Sequence, residues 1–240
     1  MSALEVNRYS RQMLVGGVGM DGQKALMSGR VLVVGGGGIG STVIMYLAGA
    51  GVPLLVCDND VVEESNLHRQ IIHNSTNTSL GVNKAVSAAN AARALNPHVD
   101  IIVEQARFNA SNARFLVSQV TVVVDATDNY EARYLLNDAC YFENVPLVSG
   151  SAVGMEGQLC VFNFGEKKNS GNMSGPCYRC LYPNVADVRS CKSCADAGVL
   201  GPVPGLVGCM EAMEAMKLLM LYPSSTTGDA AKSAGMESIS

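Results

Sequence analysis

Residues 30–40 read Arg30-Val31-Leu32-Val33-Val34-Gly35-Gly36-Gly37-Gly38-Ile39-Gly40. The run of valine and leucine makes a short strand buried on both faces, and the glycines after it form G-x-G-x-x-G at the opening of a helix. Glycine lets backbone amides come close to a phosphate, and a helix N-terminus favours the negative charge. The stretch therefore predicts a strand–turn–helix unit with an anion site at the turn.

The same alternation continues outward. Leu54-Leu55-Val56-Cys57 reads as a second strand, and Val82 to Leu95 as an Ala-rich helix stopped by Asn96-Pro97. Asp100 to Glu104 and Thr121 to Val124 supply two more strands, Glu131 to Glu143 a helix, and Pro146 to Ser149 a fifth strand. Such alternation predicts an α/β fold: a Rossmann-like, doubly wound, mostly parallel sheet whose ligand sits at the C-terminal strand ends. After Gly157 the character changes. Gln158 to Phe164 alternates like a half-exposed strand, and a loop rich in Gly, Asn, Lys and Ser runs to Gly175. A cysteine-rich crossover loop, Cys177 to Cys194, leads to a Met-rich C-terminal helix over Glu211 to Leu221, read as core or dimer packing. One domain over residues 1–222 and a disordered tail over 223–240 are expected.

Composition narrows the class. With 240 residues and 48% hydrophobic side chains the chain can bury one large core. A formal net charge of -4 offers no basic surface for nucleic acid or anionic lipid. No apolar run reaches the roughly 20 residues that span a bilayer, and the opening MSALEVNRYSRQM is too polar for an export signal. A cytoplasmic enzyme with no membrane partner is the expectation. Four of the eight cysteines crowd between residues 177 and 194, which favours metal or reactive thiols over a disulfide framework.

Gly35, Gly37, Gly38 and Gly40 with Asp58, a carboxylate at the end of the second strand suited to ribose hydroxyls, would by themselves describe a dinucleotide site. Other residues point elsewhere. Asp60 leads into a dense polar segment, Glu63 to Gln70, in which Asn66, Arg69 and Gln70 are candidates for a triphosphate tail. Lys84, at the start of the next helix, adds a point charge, and Asp128 beside Asn129 stands where Mg²⁺ would be held. These residues suit a nucleotide whose phosphates react. His68, His73 and His98 are given no chemistry.

Several ordered motifs carry a resemblance: Arg8-Tyr9-Ser10-Arg11-Gln12, Gly35 to Gly40, Asp58-Asn59-Asp60, Ser65 to Gln70, Thr127-Asp128-Asn129, Gly150 to Gln158, Cys177-Tyr178-Arg179-Cys180 and Cys194 to Pro202. Over roughly residues 7 to 222 the chain resembles the MoeB/ThiF family of the ubiquitin-activating superfamily. That resemblance implies an ATP-dependent adenylyltransferase acting on the C-terminal carboxylate of a ubiquitin-like sulfur-carrier protein, in molybdopterin or tRNA thiolation. It implies adenine and phosphate contacts from Gly38 and its neighbours, ribose contact from Asp58, phosphate contacts from Asn66, Arg69, Gln70 and Lys84, and Mg²⁺ on Asp128. It further implies a homodimer in which Arg11 reaches the partner subunit's nucleotide, and a sulfurtransferase as a further partner.

The cysteines leave alternatives open. Cys177-x-x-Cys180 and Cys191-x-x-Cys194 read by spacing as one tetrahedral zinc site. In the resembled family the first pair binds zinc with a later C-x-x-C pair, and the position of Cys194 is instead a thiol that receives the activated carrier. Here no cysteine follows Cys209, and the family's last strands, second pair and rhodanese domain have no counterpart. Incomplete or absent zinc on Cys177 and Cys180, a rearranged four-cysteine site and an intermolecular site that restores the family arrangement all remain open, as does acyl transfer to Cys194. Cys57, Cys140, Cys160 and Cys209 are expected to pack. The rival readings are a catalytically impaired paralogue that binds nucleotide or carrier, and a dinucleotide oxidoreductase.

Overall fold

Val31–Val34 (β1) lies at the centre of a six-stranded sheet in the computed structural model of the protein, which describes residues 1–165, 175–184 and 198–222. The other strands are Leu54–Cys57 (β2), Ile101–Glu104 (β3), Val122–Asp125 (β4), Leu147–Val153 (β5) and Glu156–Phe162 (β6), in spatial order β3-β2-β1-β4-β5-β6. The first five are parallel and β6 returns antiparallel along β5. The strand order reverses between β1 and β4, the switch point at which an open α/β sheet leaves a crevice. The α/β, Rossmann-like expectation is met.

Each central strand divides its side chains between two cores. Val31 and Val33 pack with Gly38–Gly49 (α3) and Lys84–Leu95 (α5) on one face. Leu32 and Val34 pack with Ala113–Val117 (α6) and Tyr130–Glu143 (α7) on the other. Burial on both faces explains why these strands read as continuous apolar runs. The chain also carries α1 (Ala3–Met13), α2 (Gly19–Ser28), a short α4 (Ser75–Ser79), the single turn α8 (Tyr178–Leu181) and a C-terminal α9 (Pro202–Leu221). Among the described residues no helix is long and apolar enough to cross a membrane. The expected disordered tail, residues 223–240, lies outside the described residues.

Several boundaries differ from the sequence reading, two of them by more than a residue or two. The C-terminal helix begins at Pro202 and not at Glu211, because prolines in a first turn lack only an N–H that the helix leaves unpaired there. Strand β5 runs on to Val153, where Gly154, at φ 61°, turns the chain into β6.

Helix α9 brings a carboxyl into the core. Glu211 is fully buried, and its oxygens make no hydrogen bond of good geometry among the described residues, although the Gly150 amide is near enough to favour the charged form. It lies against Gly150 of β5, where a Cβ would stand 2.6 Å from Oε1. Burial pushes its pKa well above the usual range, Asp125 adds to that, and Arg133 opposes it. A raised folded pKa contributes stability below the unfolded value near 4.5, and that contribution is lost as pH rises through the folded pKa. Glu211→Gln should therefore be the more stable protein at pH 8, with the gap to wild type closing toward pH 5. The gap should change by at most about 1.4 kcal/mol per pH unit. Urea titrations of both proteins across that range test this, and parallel pH profiles would refute it.

Candidate active site

A cavity of about 1210 Å³ opens at the C-terminal ends of β1, β2 and β4, and extends along β5 and β6. Gly35, Gly37 and Gly38 form one wall. Gly35 turns the chain at φ 101°, with Ala126 O only 2.6 Å from where a Cβ would stand, so this corner admits no side chain. Gly40 is not among the lining residues. A Cβ there would overlap the Gly35 carbonyl oxygen, so its absence lets α3 start tight against the turn. Asp58 accepts from Gly36 N at 2.7 Å and from Asp60 N at 2.8 Å. Burial pushes its pKa up, while those two amides and nearby Lys84 draw it back.

The cations come from the other wall. The Glu64–Asn66 3₁₀ turn carries Asn66, whose side-chain oxygen accepts from Arg69 Nη2 at 2.7 Å. Asn66 is thus behind Arg69, which does line the cavity. Gln70 is buried and lines it too, with Oε1 unpartnered among the described residues. A buried acceptor without a donor suits a ligand bearing hydroxyl or amine hydrogens. Lys84, 10% exposed at its side chain, sits 3.0 Å from the Asp60 carboxylate, so Asp60 holds the ammonium at the cavity edge. Asp128 is exposed at the mouth, and Asn129 caps α7 by accepting from Ala132 N at 2.8 Å.

The sequence reading passed over the floor of the cavity. Asp125, at the end of β4, is fully buried and pairs with Arg133 Nε at 2.9 Å. Ser149 Oγ donates to the same carboxylate at 2.7 Å, and the Thr127 hydroxyl and amide donate to its second oxygen. Arg133 also donates to Gly150 O at 2.9 Å and lines the cavity opposite Tyr178. Burial disfavours the guanidinium's charge, yet Asp125 and Tyr178 together more than offset this and its pKa lies above the usual value. The signal in the sequence was Asp125-x₇-Arg133, one residue from each end of the strand-to-helix turn. Cys160 faces the same cavity with its thiol pushed up by burial, and burial raises Cys57 to about 12, so neither is an activated nucleophile.

Two groups of expected metal ligands can be compared with what zinc and magnesium require. Cys177 and Cys180 open α8 with their sulfurs 3.6 Å apart. That is close to the separation of about 3.8 Å between two thiolates on a tetrahedral zinc. Among the described residues no group of three or more His, Cys, Asp and Glu is placed to hold a metal ion. Cys191 and Cys194 lie outside the described residues. Magnesium needs fewer protein ligands, since a nucleotide brings its own phosphate oxygens, and the exposed Asp128 carboxylate fits that use. Arg11 is exposed in the last turn of α1 and outside the cavity of its own chain.

Comparison with known proteins gives this arrangement its family. A family model described as ThiF family matches residues 9–238. The chain belongs to the ThiF family. This ThiF-family chain is 46% identical over 181 residues to "Adenylyltransferase and sulfurtransferase MOCS3" of Culex quinquefasciatus, covering 75% of the chain and 39% of that relative. It is 47% identical over 188 residues to "SAMP-activating enzyme E1" of Haloferax volcanii, covering 78% of the chain and 66% of the relative. The ThiF-family chain therefore spans well under half of the first relative and just under two thirds of the second. The solved structure of E. coli MccB with ATP superposes at a TM-score of 0.71 and 21% identity over 91% of the chain and 66% of MccB, a likeness of fold.

Proposed function

We propose that the chain adenylates the C-terminal glycine carboxylate of a ubiquitin-like sulfur-carrier protein with ATP, releasing pyrophosphate. The observation that carries this reading is the convergence of the glycine turn, Arg69, Lys84 and Asp128 on one cavity. The names of the relatives, an adenylyltransferase and a SAMP-activating E1, support it.

In this reading the nucleotide phosphates lie between the glycine turn and the Arg69–Lys84 wall, and the carrier's tail enters along β5 and β6. The carboxylate oxygen attacks the α-phosphorus; the Pα–O–Pβ bond breaks and its electron pair leaves with pyrophosphate. Arg69 and Lys84 offset the charge that moves onto the leaving group. Asp128 would hold Mg²⁺, which supplies charge neutralisation along the phosphates. Arg133, held by Asp125, faces the junction where carboxylate and α-phosphate meet. Arg11 serves the cavity of a second copy, which makes a homodimer the working unit. In a second step the Cys194 thiolate attacks the acyl carbon and AMP leaves, giving a thioester from which a sulfurtransferase partner continues. Zinc on Cys177 and Cys180, completed by ligands other than Cys194, whose thiolate must stay free to take the acyl group, is a structural part of the same proposal.

The test is exchange of labelled pyrophosphate into ATP by the purified protein, with Mg²⁺ and a panel of small ubiquitin-like sulfur carriers. Carrier-dependent exchange, retained in Cys194→Ala, is the expected result. ATP binding without exchange for any carrier would instead assign a nucleotide-binding protein without turnover.

A further inference from the structure

The turn that lines the nucleotide cavity has a second support, set behind it. His73 lies between the Glu64–Asn66 turn and α4, buried, with both ring nitrogens engaged. Its Nε2 is 2.9 Å from the Gly36 carbonyl oxygen, and its Nδ1 is 2.8 Å from Ser87 Oγ on α5. Ser87 Oγ in turn lies 2.9 Å from Asn77 Oδ1, and Asn77 completes the capping box of α4. A carbonyl oxygen only accepts, so the proton in the first contact belongs to Nε2. Burial lowers the ring's pKa, and Lys84 acts in the same direction, which favours the neutral imidazole; Ser87 Oγ has one proton, shared between Nδ1 and Asn77 Oδ1.

Gly36 is thereby pinned on both sides. Its N–H donates to Asp58 and its carbonyl accepts from His73. A run of four glycines has little conformational preference of its own, so something outside the run must fix its shape. Asp58 does this from the cavity side, where a ribose would compete for the same carboxylate. His73 does it from the protein side, where no ligand reaches.

We infer that His73 is a positioning residue for nucleotide binding, acting through the Gly36 carbonyl to hold the glycine turn in its ligand-ready shape. This rests on the reading of the cavity as an ATP site. The chemistry required of residue 73 is an N–H donor at the Nε2 position, which Gln supplies and Leu does not.

The experiment is calorimetric titration of wild type, His73→Leu and His73→Gln with ATP and Mg²⁺, alongside melting curves and, where exchange is measurable, ATP dependence of its rate. His73→Leu is expected to weaken ATP binding about tenfold, the worth of one hydrogen bond, with KM rising similarly and kcat within about threefold. His73→Gln is expected to recover most of that affinity. A folded His73→Leu that binds ATP as well as wild type overturns the inference, and so does equal weakening in both variants, since bulk and not the donor would then matter. Should His73→Leu fail to fold, Ser87→Ala reads the same clamp: it is expected to bind several-fold more weakly at a near-normal melting temperature, and unchanged affinity overturns the inference. Wild type that binds no ATP overturns the ATP-site reading itself, whereas binding without exchange leaves the clamp fully testable by affinity.

Discussion

Asp125→Ala is expected to lower the free energy of unfolding by about 3–5 kcal/mol, the cost of leaving a buried charge without its partner. Arg133 has 15% of its side chain exposed and pairs with a carboxylate that is wholly inaccessible. Removing Asp125 also takes the acceptor from Ser149 Oγ and from the Thr127 hydroxyl. Denaturant unfolding at neutral pH measures the loss. A double replacement, Asp125→Leu with Arg133→Met, should be less damaging than Asp125→Ala alone, because it removes both charges together. A loss below about 1 kcal/mol for the single variant would mean that water solvates the guanidinium and that the pair is not dry.

Arg69→Ala is expected to reduce carrier-dependent pyrophosphate exchange by about 10²–10³-fold, the usual consequence of deleting one preorganised donor from a charged transition state. Its side chain is fixed by Asn66 before any ligand arrives, so little reorganisation is left for the reaction itself. Arg69→Lys should recover only part of the rate, because an ammonium keeps the charge but not the planar fork. Unfolding free energy should move by less than about 1 kcal/mol, since the residue is half-buried. Exchange by Arg69→Ala within a few-fold of wild type would remove Arg69 from the proposed mechanism.

The sheet and its glycine turn were legible because their signals are local. A strand buried on both faces must be apolar throughout, and a helix that starts against a turn must begin with small residues. Asp58 and Lys84 were legible for a similar reason: one follows directly on a strand end and the other opens a helix, while Arg69 stood out in the dense polar segment Glu63 to Gln70 beyond β2. Arg133 and His73 were not. Arg133 looked like one more charge on an amphipathic helix, and its meaning depends on Ser149 and Gly150, a strand away. His73 sits among Asn and Ser with no ligand spacing, and its partners are 14 and 37 positions distant. The C-terminal helix was read too short because Pro202 and Pro204 signal a break everywhere except in a first turn. The Cys177–Cys180 pair was legible from its spacing, while the fate of Cys191 and Cys194 turns on residues outside the described segments.

The strand order has a consequence for how the protein comes to exist. β1 pairs with β2 nearby in sequence, but its other neighbour, β4, arrives from across a 91-residue separation, marked by the contact of Arg30 with Thr121. Closing so long a loop is an entropic obstacle that late contacts must overcome. The glycine turn, Asp58 and Lys84 stand at the ends of β1 and β2 and the start of α5, whereas Asp128 and the Asp125–Arg133 floor depend on β4 being docked. The complete cavity is therefore a property of the finished molecule alone. A ligand that spans both halves selects that molecule from the folding ensemble by mass action, so under the proposed function a nucleotide would also be a conformational quality check.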